Sequence, residues 1–198
     1  AVAVAIGFKM NLFNIGVEGQ FLIGVFFAAV VGAYLHLPSA LHIAVILVVA
    51  MFAGSAWAAL AGWLKVKKGV NEVIATIMLN AIALSVIDWL FNAKFRSNTG
   101  NSLDVKTKPL PSTAWLPTLF TITARKGKSL IPQQVSSMLV VALVMVFVFW
   151  LVVYKSRFGF RLRASGYNAV AARTAGISSN RMIGVAMLMS GAIAGLVG

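Results

Sequence analysis

Residues 136–154 read SSMLVVALVMVFVFWLVVY, an uninterrupted run of valine, leucine, methionine and aromatic side chains that ends at Lys155. An α-helix needs about 20 predominantly apolar residues to cross the hydrocarbon core of a bilayer. A basic residue directly after such a run is typical of the membrane boundary. The stretch therefore predicts a membrane-spanning helix, and with it a fold built in a lipid bilayer.

The composition of the whole chain agrees with this prediction. Of its 198 residues 60% are hydrophobic and 11% are charged, whereas soluble domains are about 45–50% apolar and about 25% charged. The 17 Lys and Arg residues outnumber 4 Asp and Glu, but they flank apolar runs instead of forming a basic patch with interleaved aromatics. We therefore predict an integral membrane protein whose environment is the lipid bilayer and which has no nucleic-acid partner.

Further apolar runs predict more spans on both sides of the first. They lie at about residues 19–37, 41–64 and 72–91, with a final span beginning near Met182 and residues 1–8 forming the tail of another. The complete spans are about twice the length of barrel strands and lack strand alternation. The predicted fold is an all-α polytopic membrane helical bundle with about five membrane segments, and residues 1–198 form a single transmembrane domain. Because the chain begins and ends inside apolar runs, we expect it to be an internal part of a longer protein.

The connecting segments predict the orientation. Residues 93–135 are polar, basic and rich in proline, which favours a loop or small subdomain outside the membrane. Alternation of the spans places this loop, with seven basic residues, opposite Lys9, residues 65–68 and residues 155–181, which carry ten. Since basic residues favour the cytoplasmic side, we expect 93–135 to be extracellular and 155–181 to be cytoplasmic.

Small residues recur every four positions within three of the spans. This spacing places them on one helix face, where they let backbones approach closely in lipid. We predict tight helix contacts there, with lining of a permeation path as the alternative. The residues are Gly24, Ala28 and Gly32; Gly54, Ala58 and Gly62; and Gly191 and Gly195.

Polar side chains within apolar surroundings are the candidate functional groups. A charge at bilayer depth costs at least ~2.5–3.5 kcal/mol and usually faces protein or water, which singles out Glu18 and Asp88. Two readings fit Glu18: a re-entrant break between helices, or a helix start capped by Asn14 and favoured by the carboxylate. Asp88 lies near a span end and is expected to reach the interface. Asn80 either forms interhelical hydrogen bonds or lines a pore.

The sequence contains no motif that indicates an enzyme. His36 and His42 have no carboxylate close in sequence, so we expect no metal site. Gly127-Lys128-Ser129 resembles the end of a phosphate-binding loop, but Ile122 stands where the first glycine is required. The absence of cysteine also excludes disulfides and a thiolate nucleophile. We predict a protein without catalytic residues, cofactor or ATP-binding motif.

Four motifs give the chain a resemblance to a known family. FNIGVEGQ (13–20), GVNEVIATIMLN (69–80), FGFRLRASGYNAVAARTAGI (158–177) and SGAIAG (190–195) together resemble permease subunits of bacterial ABC importers. The similarity is to the nucleoside and simple-sugar branch of the family that also contains ribose and branched-chain amino acid permeases. It implies a multi-pass transport subunit of the bacterial inner membrane.

The resemblance also implies partners and site residues. The partners would be a separate ATP-binding subunit, a second permease subunit and an extracellular solute-binding protein, for which the loop 93–135 is a candidate docking surface. The substrate path would involve Asn14, Glu18, Gln20 and Asn80. A short coupling helix at 167–175 would dock on the ATP-binding subunit. The residues in and around this helix that would contact the ATP-binding subunit are Arg161, Arg163, Gly166, Asn168, Ala171, Ala172 and Gly176.

Local chemistry suits a short helix at 167–175. Its alanines favour helix formation, while Asn168 can cap its start and Gly176 its end. Arg161 and Arg163 could equally meet anionic lipid headgroups. A rival function from a different class is a secondary transporter or channel with Glu18 or Asp88 as its ion or proton site, although no inverted repeat is visible.

Overall fold

The computed structural model describes residues 1–96, 107–116, 118–126 and 129–197, and this part of the chain is mainly helical. Apolar runs without internal proline give the long helices, most of which end at polar or proline-containing turns. The α-helices are α1 (Val2–Lys9), α2 (Val17–Tyr34), α3 (Ser39–Lys68), α4 (Glu72–Leu90), α5 (Met138–Trp150), α6 (Arg157–Tyr167), α7 (Ala169–Thr174) and α8 (Ser179–Leu196).

Within the described residues, four helical stretches are long and apolar enough to cross a membrane. They are Val17–Tyr34, Ser39–Lys68, Glu72–Phe95 and Met138–Lys155; π-helical turns at Phe91–Phe95 and Leu151–Lys155 extend α4 and α5. The further segment expected near Met182 is α8, which begins earlier, at Ser179, and packs inside the bundle. The predicted all-α membrane bundle is confirmed.

The polar loop contains two short elements that composition did not predict. A 3₁₀ turn covers Ser112–Ala114. Beyond it, strands β1 (Thr118–Lys126) and β2 (Ser129–Ser136) form an antiparallel hairpin, with an irregular register between Thr118 and Phe120. Threonine, phenylalanine and isoleucine in TLFTITARK favour a strand, a signal that the expectation of a loop or small subdomain did not use.

Small residues bring α2, α3 and α8 together. A Cβ placed on Gly24 would lie 2.6 Å from Cα of Gly195, and one on Gly54 would lie 2.9 Å from the same atom. Ala28 and Ala58 are buried on these faces. The predicted close contacts are confirmed, because only residues without a larger side chain allow the helix backbones to approach so closely.

The basic segments meet at one end of the bundle. A Cβ on Gly166 of α6 would lie 2.6 Å from the carbonyl oxygen of Lys9, which places α6 against the end of α1. At the α3–α4 turn, Lys65 Nζ lies 2.7 Å from Glu72 Oε2. The Cβ position of Gly62 lies 3.8 Å from Cα of Gly184, near the start of α8. Three segments distant in sequence therefore share this end, called here the basic end.

The polar segment 107–116 lies at the opposite end. His42 Nδ1 of α3 is 2.9 Å from Thr113 Oγ1, and Lys108 Nζ lies 5.4 Å from the ring centroid of Tyr34, the last residue of α2. Phe95 also contacts Tyr34, with ring centroids 6.4 Å apart. The structure thus places the described part of the loop away from the basic end.

Substitutions on α8 test the close helix contact. A Cβ on Gly191 would lie 3.0 Å from the Gly54 carbonyl carbon and closer still to Ala58, whereas one on Gly184 meets nothing within 4 Å. We expect Gly191→Ala to lose roughly 1–3 kcal/mol through overpacking, measured as a lower midpoint of thermal unfolding in detergent. Gly184→Ala is the matched control and should be neutral or stabilising. Equal midpoints for the two variants would contradict this packing.

Candidate translocation and coupling sites

The break between α1 and α2 is held by buried polar contacts with other parts of the protein. α1 ends at Lys9, Asn11 adopts a left-handed backbone with φ 56, and α2 starts only at Val17. Ser190, in the second half of α8, donates a hydrogen bond to the Ala3 carbonyl (2.7 Å) and accepts one from Asn14 Nδ2 (2.8 Å). Non-helical backbone at membrane depth requires such protein surroundings, so the structure agrees with the re-entrant reading.

Asn14 and Gln20 form a reciprocal amide pair at this break. Asn14 Nδ2 donates to Gln20 Oε1 (3.0 Å), and Gln20 Nε2 donates to Asn14 Oδ1 (3.1 Å). The same Oδ1 accepts from the Gly16 amide at 3.0 Å. Both side chains are 3% exposed or less. The sequence had suggested Asn14 as the N-cap of α2, but Gly16 occupies that position. Asn14 instead accepts a hydrogen bond from the amide of Gly16.

Asn80 joins α4 to the start of α2. Its Oδ1 accepts from the Gly19 amide at 2.9 Å, and its Nδ2 donates to the Ile15 carbonyl at 3.0 Å. Gly19 is in the first turn of α2, where backbone amides have no partner within the helix. Asn80 thus supplies a cap from a neighbouring helix, and the reading of interhelical hydrogen bonding is confirmed.

Glu18 differs from the other three residues predicted for the substrate path. It is exposed, lies in the first turn of α2, and borders a cavity of about 610 Å³ lined by apolar residues such as Phe21, Met145 and Ile193. In the described part of the chain its carboxylate has no hydrogen bond or ion pair. Asn14, Gln20 and Asn80 use their polar atoms to hold the break, and Glu18 presents its polar group outwards.

Lys65 and Glu72 form an ion pair that was not predicted from the sequence. The ion pair closes the α3–α4 turn around Gly69, which has a φ of 67. Asn71 caps α4 by accepting from the Val73 amide at 2.9 Å. The sequence did contain signals for this turn. It has opposite charges on either side of a glycine, and an Asn stands before a helix start that carries an acidic residue.

The predicted coupling segment contains two helices. α6 (Arg157–Tyr167) was not expected; its cap is Ser156, whose Oγ accepts from the Gly159 amide at 3.0 Å. α7 starts at Ala169, two residues later than expected, because Asn168 is extended and its Oδ1 accepts from the amides of Val170 and Ala171, both at 3.0 Å. Gly176 follows with a φ of 77. The predicted caps are therefore present.

The residues predicted to contact an ATP-binding subunit do not share one surface. Ala171 and its neighbour Val170 are exposed on α7, as are Asn168, Gly176 and Arg161. Ala172, by contrast, is buried at 4% exposure. Gly166 packs against the end of α1, and Arg163 lies with Cζ 5.2 Å from the ring centroid of Tyr154. The exposed group is available for docking, while the other three residues face the protein.

Several curated proteins resemble the whole of this chain. It is 39% identical over 199 residues to "Guanosine ABC transporter permease protein NupP" of Bacillus subtilis (strain 168), covering 100% of this chain and 54% of that protein. "Glucose ABC transporter permease protein TsgB13" of Haloferax volcanii is 33% identical over 199 residues, covering 100% and 51%. "Nucleoside ABC transporter permease protein NupB" of Lactococcus lactis is 30% identical over 204 residues, covering 100% and 54%. The chain spans about half the length of these relatives.

The family comparison covers the same length. No solved structure matches the chain. The family described as "Branched-chain amino acid transport system / permease component" matches residues 1–198. Together with four helices able to cross a bilayer, this match places the chain among multi-pass proteins of the cell inner membrane. The chain belongs to the family of branched-chain amino acid transport system permease components.

Proposed function

We propose that this chain is part of the transmembrane subunit of an ATP-driven ABC importer that moves nucleosides or simple sugars inwards. The observation that carries the proposal is similarity along the whole chain to permeases named for guanosine, nucleosides and glucose. These are neutral polar solutes, which cross a membrane only where hydrogen-bonding groups are available at depth. A separate ATP-binding subunit would supply the energy.

The break between α1 and α2 is the proposed part of the substrate path. Glu18 offers an exposed polar group there, beside the cavity of about 610 Å³. Asn14, Gln20 and Asn80 would act on the path by fixing the backbone that presents Glu18, because their amide groups already bind one another and the start of α2. A second permease subunit would complete the path.

The α6–α7 segment is the proposed contact with the ATP-binding subunit. α7 is six residues long, and of its exposed residues Ala169, Val170, Ala171 and Thr174 are small or medium in size, while Arg173 adds a positive charge. The low part of this helix surface would fit a groove on a partner. Movement there would reach the membrane helices through α6, since Gly166 touches the backbone of Lys9 and Met10.

The loop 93–135 is the proposed docking surface for an extracellular solute-binding protein. Its described part lies at the end of the bundle opposite the basic end. His42 and Thr113 attach it to α3 at 2.9 Å. The basic end would then face the cytoplasm, in agreement with the ten basic residues on that side.

A gradient-driven transporter or channel is the second candidate function. Glu18, with no described partner, favours it, because an unpaired carboxylate in apolar surroundings can carry a proton or an ion. Asp88 is a weaker candidate, since it lies at the end of α4 and accepts a hydrogen bond from Asn92 at 2.9 Å.

Single cysteines test the orientation, since the chain has none of its own. Ser112 and Ala175 are both exposed and lie at opposite ends of the bundle. In the full-length permease, we expect Ser112→Cys to react with an impermeant thiol reagent on intact cells. Ala175→Cys should react only after permeabilisation. The reverse labelling pattern would overturn the orientation.

Glu18→Gln separates the two candidate functions. The change keeps the size and hydrogen-bonding capacity of the side chain but removes its charge. For an ATP-driven importer, we expect uptake by the assembled complex in proteoliposomes to continue to follow ATP hydrolysis. Loss of uptake driven by an imposed proton or ion gradient, with no response to ATP before or after the substitution, would favour the gradient-driven class.

Substitution on α7 tests the coupling contact. Ala171 is exposed, so Ala171→Trp should leave the fold intact while obstructing a partner groove. We expect the purified variant to lose most solute-stimulated ATP hydrolysis with its ATP-binding subunit, while its unfolding midpoint stays unchanged. Ala171→Ser is the matched control and should retain stimulation. Ala172→Trp is unsuitable, because Ala172 is buried. Normal stimulation in Ala171→Trp would show that α7 does not dock.

A further inference from the structure

A polar cavity opens at the basic end of the bundle. It has a volume of about 420 Å³ and lies between the end of α1, the residues that follow α5, and α6. Its lining combines cationic, aromatic and amide groups. The lining includes Phe8, Lys9, Asn11, Tyr154, Arg163 and Tyr167. We call it the Lys9–Arg163 cavity.

Two cations share one aromatic ring in this cavity. Lys9 Nζ lies 5.3 Å and Arg163 Cζ 5.2 Å from the ring centroid of Tyr154. Each cation is attracted to the electron-rich ring, and both side chains line the same cavity. An anion bound in this cavity would be attracted by both positive charges.

No carboxylate from residues 1–96, 107–116, 118–126 or 129–197 supplies that anion. Glu72 pairs with Lys65 at 2.7 Å. Asp88 accepts from Asn92, on the far part of α4. Glu18 borders the separate cavity beside α5 and α8. None of the described carboxylates therefore neutralises the two positive charges that line the Lys9–Arg163 cavity.

An apolar cavity lies one helical turn deeper along α1. It has a volume of about 170 Å³ and is lined only by apolar residues, among them Ile6, Phe149 and Val152. Ile6 precedes Lys9 by three positions and so lies on the same face of α1, while Val152 precedes Tyr154 by two. Met51 of α3 and Met189 of α8 also line this apolar cavity. A cationic cavity next to an apolar one matches a molecule with an anionic head and a hydrocarbon tail.

The aromatic residues agree with a position at the membrane surface. Phe8 is 55% exposed and Tyr167 is 90% exposed, and both line the mouth of the cavity. Tyrosine and tryptophan side chains concentrate where hydrocarbon meets water, which agrees with Tyr167 lying at that level. The phosphate of a phospholipid also lies at this boundary between hydrocarbon and water. An acidic surface of a soluble partner would not reach the apolar cavity.

We propose that the Lys9–Arg163 cavity binds the phosphate headgroup of an anionic phospholipid, with part of an acyl chain entering the neighbouring apolar cavity lined by α1, α3, α5 and α8. Lysine and arginine bind phosphate oxygens through charge-assisted hydrogen bonds. The bound lipid ties α1 to α6, the helix that leads into α7. The inference requires only that the protein spans a membrane, so it does not depend on the transported solute or on an ATP-binding subunit.

Lipid binding by the purified full-length permease tests the proposal. Native mass spectrometry and thermal unfolding are measured with added phosphatidylglycerol, phosphatidylcholine or inorganic phosphate. We expect phosphatidylglycerol to bind and to raise the unfolding midpoint. In Lys9→Gln/Arg163→Gln the apparent affinity should fall about 25-fold, because each basic residue beside an anionic lipid contributes roughly fivefold.

Two further variants control for folding and for general charge. Lys9→Arg/Arg163→Lys keeps both charges and should retain phosphatidylglycerol binding within a few-fold. Lys67→Gln/Lys68→Gln removes two charges from the same end of the bundle, outside the cavity, and should also retain it. Equal loss in this control would overturn the proposal, since the effect would then be general electrostatic attraction.

Other outcomes also overturn it. Phosphatidylcholine binding as strongly as phosphatidylglycerol would show that the cavity does not select an anionic lipid. Inorganic phosphate alone giving the full midpoint shift would identify a soluble anion as the ligand. Loss of ATP-binding subunit association in Lys9→Gln/Arg163→Gln, with phosphatidylglycerol binding unchanged, would assign the two cations to a protein partner.

Discussion

The structure depends on one constraint: backbone that leaves the helical conformation inside a bilayer must find its hydrogen bonds within the protein. The break between α1 and α2 is the place where this constraint applies. Asn14 binds the Gly16 amide, Asn80 binds the Gly19 amide and the Ile15 carbonyl, and Ser190 connects Asn14 with Ala3. Side chains from three parts of the chain thus replace the solvent that the break would otherwise require.

Close helix packing makes this arrangement possible. α8 can bring Ser190 to the break only because Gly191 and Gly195, its neighbours on the same helix, allow contact with Gly54 and Gly24. In lipid the hydrophobic effect does not drive helices together, so backbone proximity and van der Waals contact have to do so. The polar network and the glycine contacts are two parts of one interface, and the proposed substrate path lies beside it.

The same packing organises the basic end. Lys9, Lys65 and Arg163 come from separate segments, yet they lie at one end of the bundle because α1, α3 and α6 all reach it. Lys65 finds Glu72, whereas Lys9 and Arg163 share Tyr154. Lys9 and Arg163 therefore keep a positive charge that no described carboxylate neutralises, and a lipid or a protein partner can bind to it. Arg163 packs against Tyr154, whereas Arg161 of the same helix is exposed.

The sequence by itself determined the membrane class, the helices and several of their ends. Apolar runs of spanning length have few alternatives to a helix in lipid, and Asn168 and Gly176 act locally, so their caps around α7 could be predicted. Only the tertiary structure decided which polar groups meet. Asn14 and Ser190 are 176 positions apart, and the sequence alone gave no means of pairing them. Burial of Ala172 beside exposed Ala171 likewise depends on how α7 packs, because a six-residue helix of small side chains has no strong apolar face to fix its rotation.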